Sequence, residues 1–483
     1  MLDYRSFRYR AIANQIAAHI DAGLYGVGDR LPSVRKLQEA HGISATTAMR
    51  VLVELEQDGW AEARPWSGFY VRHRAERWSA DVPTATKTAP APSVANVNAL
   101  IERIFKANNC AGSERRILPL GAAEVDEALL PYKELAAAVS RTIRDGAAKL
   151  LAYGHSAGDP QLRRRLAQLL GDRGLTLVPD DIVITTGETD ALGLALMALT
   201  TPGDTVAVES PCFFGILQWV EALGLRAVEI ATDPNNGLDL DELERIVDTM
   251  PVTALALNPT FHNPFGFAMP TDRMQRLLAI AERRGLPIIE DDVYGDLHYG
   301  NRSRRPLKSF DLDGWVLYCS SFSKTLAPGF RVGWCVPGRF AEAFERARAP
   351  RNAGVATLTQ RALARYLDGR AYRRHLLSLR HLFASQAGPI RSLVLESFPK
   401  GTRITEPEGG FVFWVEVPPP FDAFRFHEVA LREGISTAPG PIFSASGGFR
   451  HAFRLSVGRR MTAEVESGIR RLGQIALRVS GET

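Results

Sequence analysis

Cysteine is scarce. The chain has 483 residues and four cysteines, Cys110, Cys212, Cys319 and Cys335, far apart and never in a CxxC or CxxH spacing. That excludes a disulfide framework and leaves no expected metal site. Charge of one sign is scarce too: 58 basic against 54 acidic residues give a net charge of +4, too small a field to argue for nucleic acid or a membrane surface on its own. Long hydrophobic runs are missing. The longest apolar or glycine run, Ala191 to Leu199, falls far short of the roughly 20 residues that cross a bilayer. The N-terminus, Met1-Leu2-Asp3-Tyr4-Arg5, has no signal-peptide apolar core. A soluble, cytoplasmic protein with no membrane association is expected. What is present is a globular composition, 45% hydrophobic and 23% charged, on a chain long enough for two or three cores.

Ile12, Ile16 and Ile20 recur at four-residue spacing, which predicts an amphipathic helix from Tyr9 to Ala22 ended by Gly23. Ser33 after Pro32 predicts the N-cap of a short helix through Ala40. After His41-Gly42-Ile43, Ser44 predicts the cap of a third helix from Ala45 to Asp58, stopped by Gly59. Two short helices across a glycine turn make a helix-turn-helix. On the third helix Ala48, Val51, Leu52 and Leu55 share one face, leaving Thr46, Thr47 and Arg50 on the other. Hydroxyls and an arginine near a helix N-terminus suit phosphates and base edges. Residues 60–64 and 67–71 then read as a hairpin that places Arg64 beside a nucleic-acid backbone. A three-helix interaction module with a solvated polar face is the competing reading.

The order Gly28-Asp29-Arg30-Leu31-Pro32-Ser33-Val34-Arg35, helix, Ser44-Ala45-Thr46-Thr47, helix, glycine, hairpin closely resembles the winged helix-turn-helix of the GntR family of bacterial transcription regulators. The resemblance implies that Arg35, Ser44, Thr46, Thr47, Arg50 and Gly68 lie at double-stranded DNA. Residues 1–75 are accordingly expected as a DNA-binding domain and 76–115 as a linker. Its stretch from Glu76 to Val97 is rich in Ala, Thr, Ser and Pro without apolar periodicity, so it would be partly extended.

From Leu118 onward apolar strand-like runs alternate with helical patterns, the signature of a mainly parallel α/β sheet. Ligand crevices form at the carboxyl ends of such strands, and here those ends are rich in chemistry. Gly187-Glu188-Thr189 precedes an apolar helix and suits an anion. Phe213 offers a flat ring, and Asn263 belongs to the second of two Asn-Pro pairs, Asn258-Pro259 and Asn263-Pro264, that suggest a constrained loop. Glu290-Asp291-Asp292-Val293-Tyr294 puts acids at the end of a buried strand, where a cation or ring N–H is needed nearby. The run Trp315 to Cys319 leads into Ser321-Phe322-Ser323-Lys324, with Arg331 seven positions on. A partly desolvated lysine there can form a Schiff base, and Ser321 and Arg331 can hold an anionic group on its partner. One small molecule carries all the matching parts: phosphate, flat ring, phenolic oxygen, basic ring nitrogen and aldehyde. It is pyridoxal 5′-phosphate, with Lys324 on the aldehyde, Asp291 on the ring nitrogen, and Asn263 and Tyr294 on the phenolic oxygen.

The set resembles the class I and II, fold type I aminotransferases over residues 118 to 475, most specifically in Ser321-x-Ser323-Lys324-x6-Arg331-x-Gly333. The resemblance implies an aminotransferase-like domain at 116–480 with a smaller α/β subdomain at about 385–480. It adds Ser321, Ser323 and Arg331 to Gly187, Glu188 and Thr189 at the phosphate, and matches Tyr153 to a tyrosine that reaches the phosphate across a dimer interface. It matches Arg454, in Phe453-Arg454-Leu455-Ser456, to the arginine that grips a substrate carboxylate. The fusion of both parts looks like the MocR subfamily of regulators. That implies a homodimeric transcription regulator in which an amino acid or amine effector forms an external aldimine by displacing Lys324. Two alternatives stay open: an active aminotransferase with an autoregulatory DNA-binding domain, and a cofactor-free scaffold.

Overall fold

The computed structural model describes residues 5–21, 24–26, 28–57, 60–64, 67–71, 91–111, 117–300, 305–351 and 354–481. The chain divides into two compact units, Met1–Ser79 and Ala80–Thr483.

The first unit runs through helices Arg5–Asp21, Val34–His41 and Ala45–Gln57, then an antiparallel hairpin of Ala61–Arg64 with Gly68–Val71. The first helix starts at Arg5, one turn before the expected Tyr9, and the expected stops at Gly23 and Gly59 lie outside the described residues. Local chemistry sets the ends. Ser33 has extended backbone and its hydroxyl accepts from the Lys36 N–H at 3.3 Å, a helix N-cap. Gly42 closes that helix in the left-handed conformation. Ser44 Oγ accepts from the Thr47 N–H at 3.2 Å and bonds the Thr47 hydroxyl at 2.8 Å. Ala48, Val51, Leu52 and Leu55 are buried against Ile12, Ile16 and Leu37, with Ala61 and Val71 closing the core.

In the second unit an eight-stranded sheet has the order 183–185, 333–336, 316–321, 288–291, 254–257, 205–210, 226–233, 237–238. The five central strands from 316–321 to 226–233 are parallel; the edges are antiparallel. The central runs are buried throughout, as in Val316–Ser321 and Ala254–Leu257, which is why they read as continuous apolar stretches rather than alternating ones. A second, antiparallel sheet of 403–404, 412–416, 452–456 and 438–439 packs with helices Ala423–Arg432 and Ala463–Val479 around its own core. Leu118 and Leu120 belong to this smaller core, and the strand Leu118–Pro119 pairs with Ile435–Ser436.

The expected linker 76–115 needs a correction, because residues 91–111 are folded onto the second unit. Ser93 exchanges two backbone hydrogen bonds with Ala227, at 2.8 and 2.9 Å. The carboxylate of Glu221 accepts from the N–H groups of Val97 and Asn98 at 2.7 and 2.9 Å, at the start of the helix Asn98–Ala111. Those N–H groups have no partner within a helix, so an acid from another element satisfies them. Ile101 and Ile104, one turn apart, are buried.

Leu52 is fully enclosed, so Leu52→Ala leaves a cavity that costs the first unit about 2–5 kcal/mol. The expected result is a urea midpoint lowered for DNA binding, with cofactor uptake by the second unit unaffected.

Candidate functional site

At the carboxyl ends of the parallel strands a cavity of about 230 Å³ is bordered by Glu188, Thr189, Phe213, Asn263, Asp291, Ser321, Ser323, Lys324, Arg331 and Arg454. Residues scattered over some 270 positions of sequence meet there, because most end or follow a strand of the large sheet, while Arg454 reaches in from the strand 452–456 of the smaller one. The strand Val316–Ser321 delivers Lys324, whose amine donates to the Ala123 carbonyl at 2.6 Å. Burial lowers the pKa of that amine below the ordinary lysine range, against the opposing pull of Glu188.

One end of the cavity is an anion cradle. Gly187, with φ of 85°, starts the helix Glu188–Leu199, and a Cβ there would collide with the Arg331 guanidinium. Gly333 is constrained from the other side: its Cβ would stand 2.5 Å from the Gly187 carbonyl carbon. Glycine at both positions lets Arg331 and the helix N-terminus converge. Ser321 Oγ accepts from the Ser323 N–H at 3.2 Å, which orients the loop before Lys324.

At the other end Arg454 is buried. It donates from Nη1 to Asn263 Oδ1 at 2.9 Å and from Nη2 to the Gly121 carbonyl at 2.7 Å, and its Cζ lies 5.0 Å from the Phe443 ring centroid. Among the described residues no carboxylate pairs with it, and burial lowers its pKa to about 10. This is not a surface ion pair. Such a cation favours an incoming carboxylate.

The three acids after Ile289 separate by strand alternation. Glu290 accepts from the N–H groups of Leu307 and Lys308 at 2.7 and 2.8 Å, and burial raises its pKa to about 8. Asp292 takes Arg173 in an ion pair and the Tyr318 hydroxyl at 2.6 Å. Only Asp291 borders the cavity. Its carboxyl hydrogen-bonds that of Glu188, and burial raises the pKa of both. Here the structure departs from expectation: the Glu188 side chain turns to Asp291 rather than to the anion cradle. A carboxylate would repel a phosphate, whereas a protonated carboxyl can share its proton with Asp291. Tyr294 stacks edge-on against Phe411 at 5.4 Å, and its buried hydroxyl has no hydrogen-bond partner among the described residues. Tyr153 is not brought to the cavity; it is 93% exposed, near the equally bare Leu151.

In the first unit Arg35, Ser44, Thr46 and Arg50 are exposed and Thr47 is half-buried. Arg35 pairs with Glu39 at 3.0 Å, and Arg50 lies over Tyr9 at 5.0 Å. Gly68 opens the second hairpin strand with φ of 113°. The Arg64 side chain lies outside the described residues.

Residues 116–472 match the family described as aminotransferase class I and II, and residues 8–71 match bacterial regulatory proteins of the gntR family. The chain belongs to both families, joined as in the MocR subfamily. This GntR–aminotransferase chain is 34% identical to the HTH-type transcriptional regulator YjiR of Escherichia coli over 472 residues, 98% of this chain and 99% of the relative. It is 32% identical to 2-aminoadipate transaminase of Thermus thermophilus over 353 residues, 72% of this chain and 86% of that one. Among solved structures it resembles the α-aminoadipate aminotransferase LysN of Thermus thermophilus, complexed with N-(5′-phosphopyridoxyl)-L-leucine. The TM-score is 0.72 at 28% identity, covering 79% of this chain and 95% of that one. The kynurenine aminotransferase of Pyrococcus horikoshii, in complex with PMP, matches with the same TM-score and identity over 79% and 96%.

Sequence reasoning on this GntR–aminotransferase chain missed Ile101, Ile104, Phe214 and Ile442 on the cavity wall and Arg173 behind it. The i, i+3 spacing of Ile101 and Ile104 was a usable signal for a packed helix; nothing in the sequence paired Arg173 with Asp292.

Glu188 also makes stability depend on pH. Its folded pKa is raised, so the stability it contributes is fully present below the ordinary glutamate range and is lost as pH rises towards the raised folded value. Glu188→Gln keeps the contact without the titration. In cofactor-free protein, its gain in melting temperature over the wild type should be larger at pH 8 than at pH 5.

Proposed function

We propose that the protein is a pyridoxal 5′-phosphate-dependent transcription regulator of the cytoplasm that senses an amino acid or amine through Lys324. The observation that carries this reading is the desolvated Lys324 amine in one cavity with Asp291, an anion cradle at one end and the uncompensated Arg454 cation at the other.

The residues fit the cofactor. Gly187, Thr189, Ser321, Ser323 and Arg331 would hold its phosphate, with the backbone N–H rather than the side chain of Glu188. Phe213 would flank the ring, Asp291 would accept from the ring nitrogen, and Asn263 and the partnerless hydroxyl of Tyr294 would hold the phenolic oxygen. Bound there, pyridoxal 5′-phosphate supplies an aldehyde that captures amines and a ring that draws electron density from the bonds beside the captured nitrogen. Lys324 would be the amine that holds the aldehyde, and Arg454 would orient an effector that carries a carboxylate. The exposed Tyr153 supports a homodimer in which it completes the phosphate site of a second copy.

For the first unit, the exposed Arg35, Thr46 and Arg50 around a capped helix N-terminus support a DNA-facing surface, with Ser44, Thr47, Arg64 and Gly68 beside it. The enzyme reading draws support from the same complete residue set and from the transaminase relative. Mixing the holoprotein with amino acids decides between them: rapid conversion to pyridoxamine phosphate and oxo acid favours the enzyme, and slow or partial conversion favours the sensor.

Borohydride should trap the cofactor on the peptide containing Lys324, and Lys324→Ala should trap none; label on another lysine would refute the assignment. Arg50→Ala should weaken operator binding and reduce the slope of log affinity against log salt by about 1.

A further inference from the structure

Glu188 is the one cavity residue whose side chain did not go where the motif put it. It follows Gly187, where a carboxylate is the least suitable group for an anion site, yet its carboxyl is buried beside that of Asp291. No backbone N–H, hydroxyl or amide reaches Glu188 Oε1, whereas Asp291 Oδ1 already accepts from the Val293 N–H at 3.3 Å. The donors are therefore on the Asp291 side. Asp291 is equipped to carry the charge, whereas Glu188 Oε1 has no hydrogen-bond donor among the described residues.

The surroundings point the same way. Lys324 approaches from the loop after Val316–Ser321, Asp292 follows Asp291 just past the end of its strand, and Arg454 borders the same cavity, where it repels the Lys324 cation. The Cys319 thiol, register partner of Asp291, is kept protonated by burial and by Cys335, with lesser contributions from Glu188 and Asp291. Burial raises the pKa of both acids and the Asp291 charge opposes that of Glu188, which favours one shared proton on the pair over two charges.

Resting on the cofactor assignment above, we propose that Glu188 is a positioning residue that keeps its proton and donates it to Asp291, weakening the hold of Asp291 on a proton at the cofactor's ring nitrogen. A carboxylate that already accepts a strong hydrogen bond is a poorer base towards a second donor. The ring nitrogen is then less fully protonated and the ring a weaker electron sink. Amine capture at Lys324 needs the aldehyde, not the electron sink, so it is retained while proton loss from the captured amine's α-carbon is slowed. That combination suits a sensor that must bind amino acids without consuming them.

The test uses full-length holoprotein reconstituted with cofactor labelled with ¹⁵N at the ring. Glu188→Met keeps the bulk and removes the donor; Glu188→Gln keeps a donor without a charge; Glu188→Ala is the second donor-less variant if Met disturbs folding. The expected result is that the ring nitrogen of the Met and Ala variants releases its proton about one pH unit higher than in the wild type, the worth of one buried hydrogen bond. Their single-turnover conversion of an amino acid to oxo acid should be roughly tenfold faster. Glu188→Gln should keep the wild-type ring-nitrogen signal. An unchanged signal in the Met and Ala variants, or a Gln variant that behaves like Met, overturns the proposal while leaving the cofactor assignment intact. Equal gains in cofactor affinity for Gln and Met without a change in ring protonation would make Glu188 an obstacle rather than a donor, and also overturn it. Wild-type protein that takes up no cofactor overturns both.

Discussion

Strand register at the centre of the large sheet is the constraint on which the site depends. Ile288–Asp291 lies parallel to Val316–Ser321 with Asp291 opposite Cys319, and side chains alternate between faces along each strand. That register puts Asp291 on the cavity side and Glu290 and Asp292 on the other, where Leu307, Lys308 and Arg173 satisfy them. A slip of one residue would exchange these roles, leaving a paired acid at the cavity and an unpaired one in the core. The Arg173–Asp292 pair therefore does more than neutralise charge. It opposes the slip, because both partners are buried and breaking such a pair costs about 3–5 kcal/mol.

The same logic explains the glycines of the lysine motif. Gly333 lies on the strand next to the one that leads into Lys324, and its missing side chain lets its own strand pass against the start of Glu188–Leu199. The anion cradle and the lysine are thus parts of one packing arrangement. Arg331 enters it in the left-handed conformation, with φ of 51°, a strain that an arginine carries only where its surroundings fix it.

Much of this was legible in the sequence, for identifiable reasons. The helix-turn-helix announced itself through caps, a glycine turn and four apolar residues on one face, all of which are local. The parallel sheet was legible because its strands are buried on both sides and so read as apolar runs ending in polar motifs. Lys324, Asp291, Asn263 and Arg331 stood out because each ends or follows such a run, whereas Arg454, inside a strand of the smaller sheet, stood out only through the resemblance; all five border one cavity. What was hidden is non-local. The acid Glu221 that caps Asn98–Ala111 is more than a hundred residues away, so a helix looked like linker. Glu188 was assigned to the phosphate because its backbone sits there, and sequence position does not tell which way a side chain turns when an acid lies within reach.

If effector capture at Lys324 is what the DNA-binding unit reports, the two sites share a coupling free energy, and coupling is reciprocal. The most direct measurement is the affinity of the holoprotein for its effector amino acid, read from the cofactor's absorption, with and without saturating operator DNA. The account predicts that DNA changes this affinity by the same factor by which the amino acid changes DNA affinity, roughly 5- to 150-fold for typical coupling. Identical amino-acid affinities with and without DNA would contradict it and leave two independent functions on one chain.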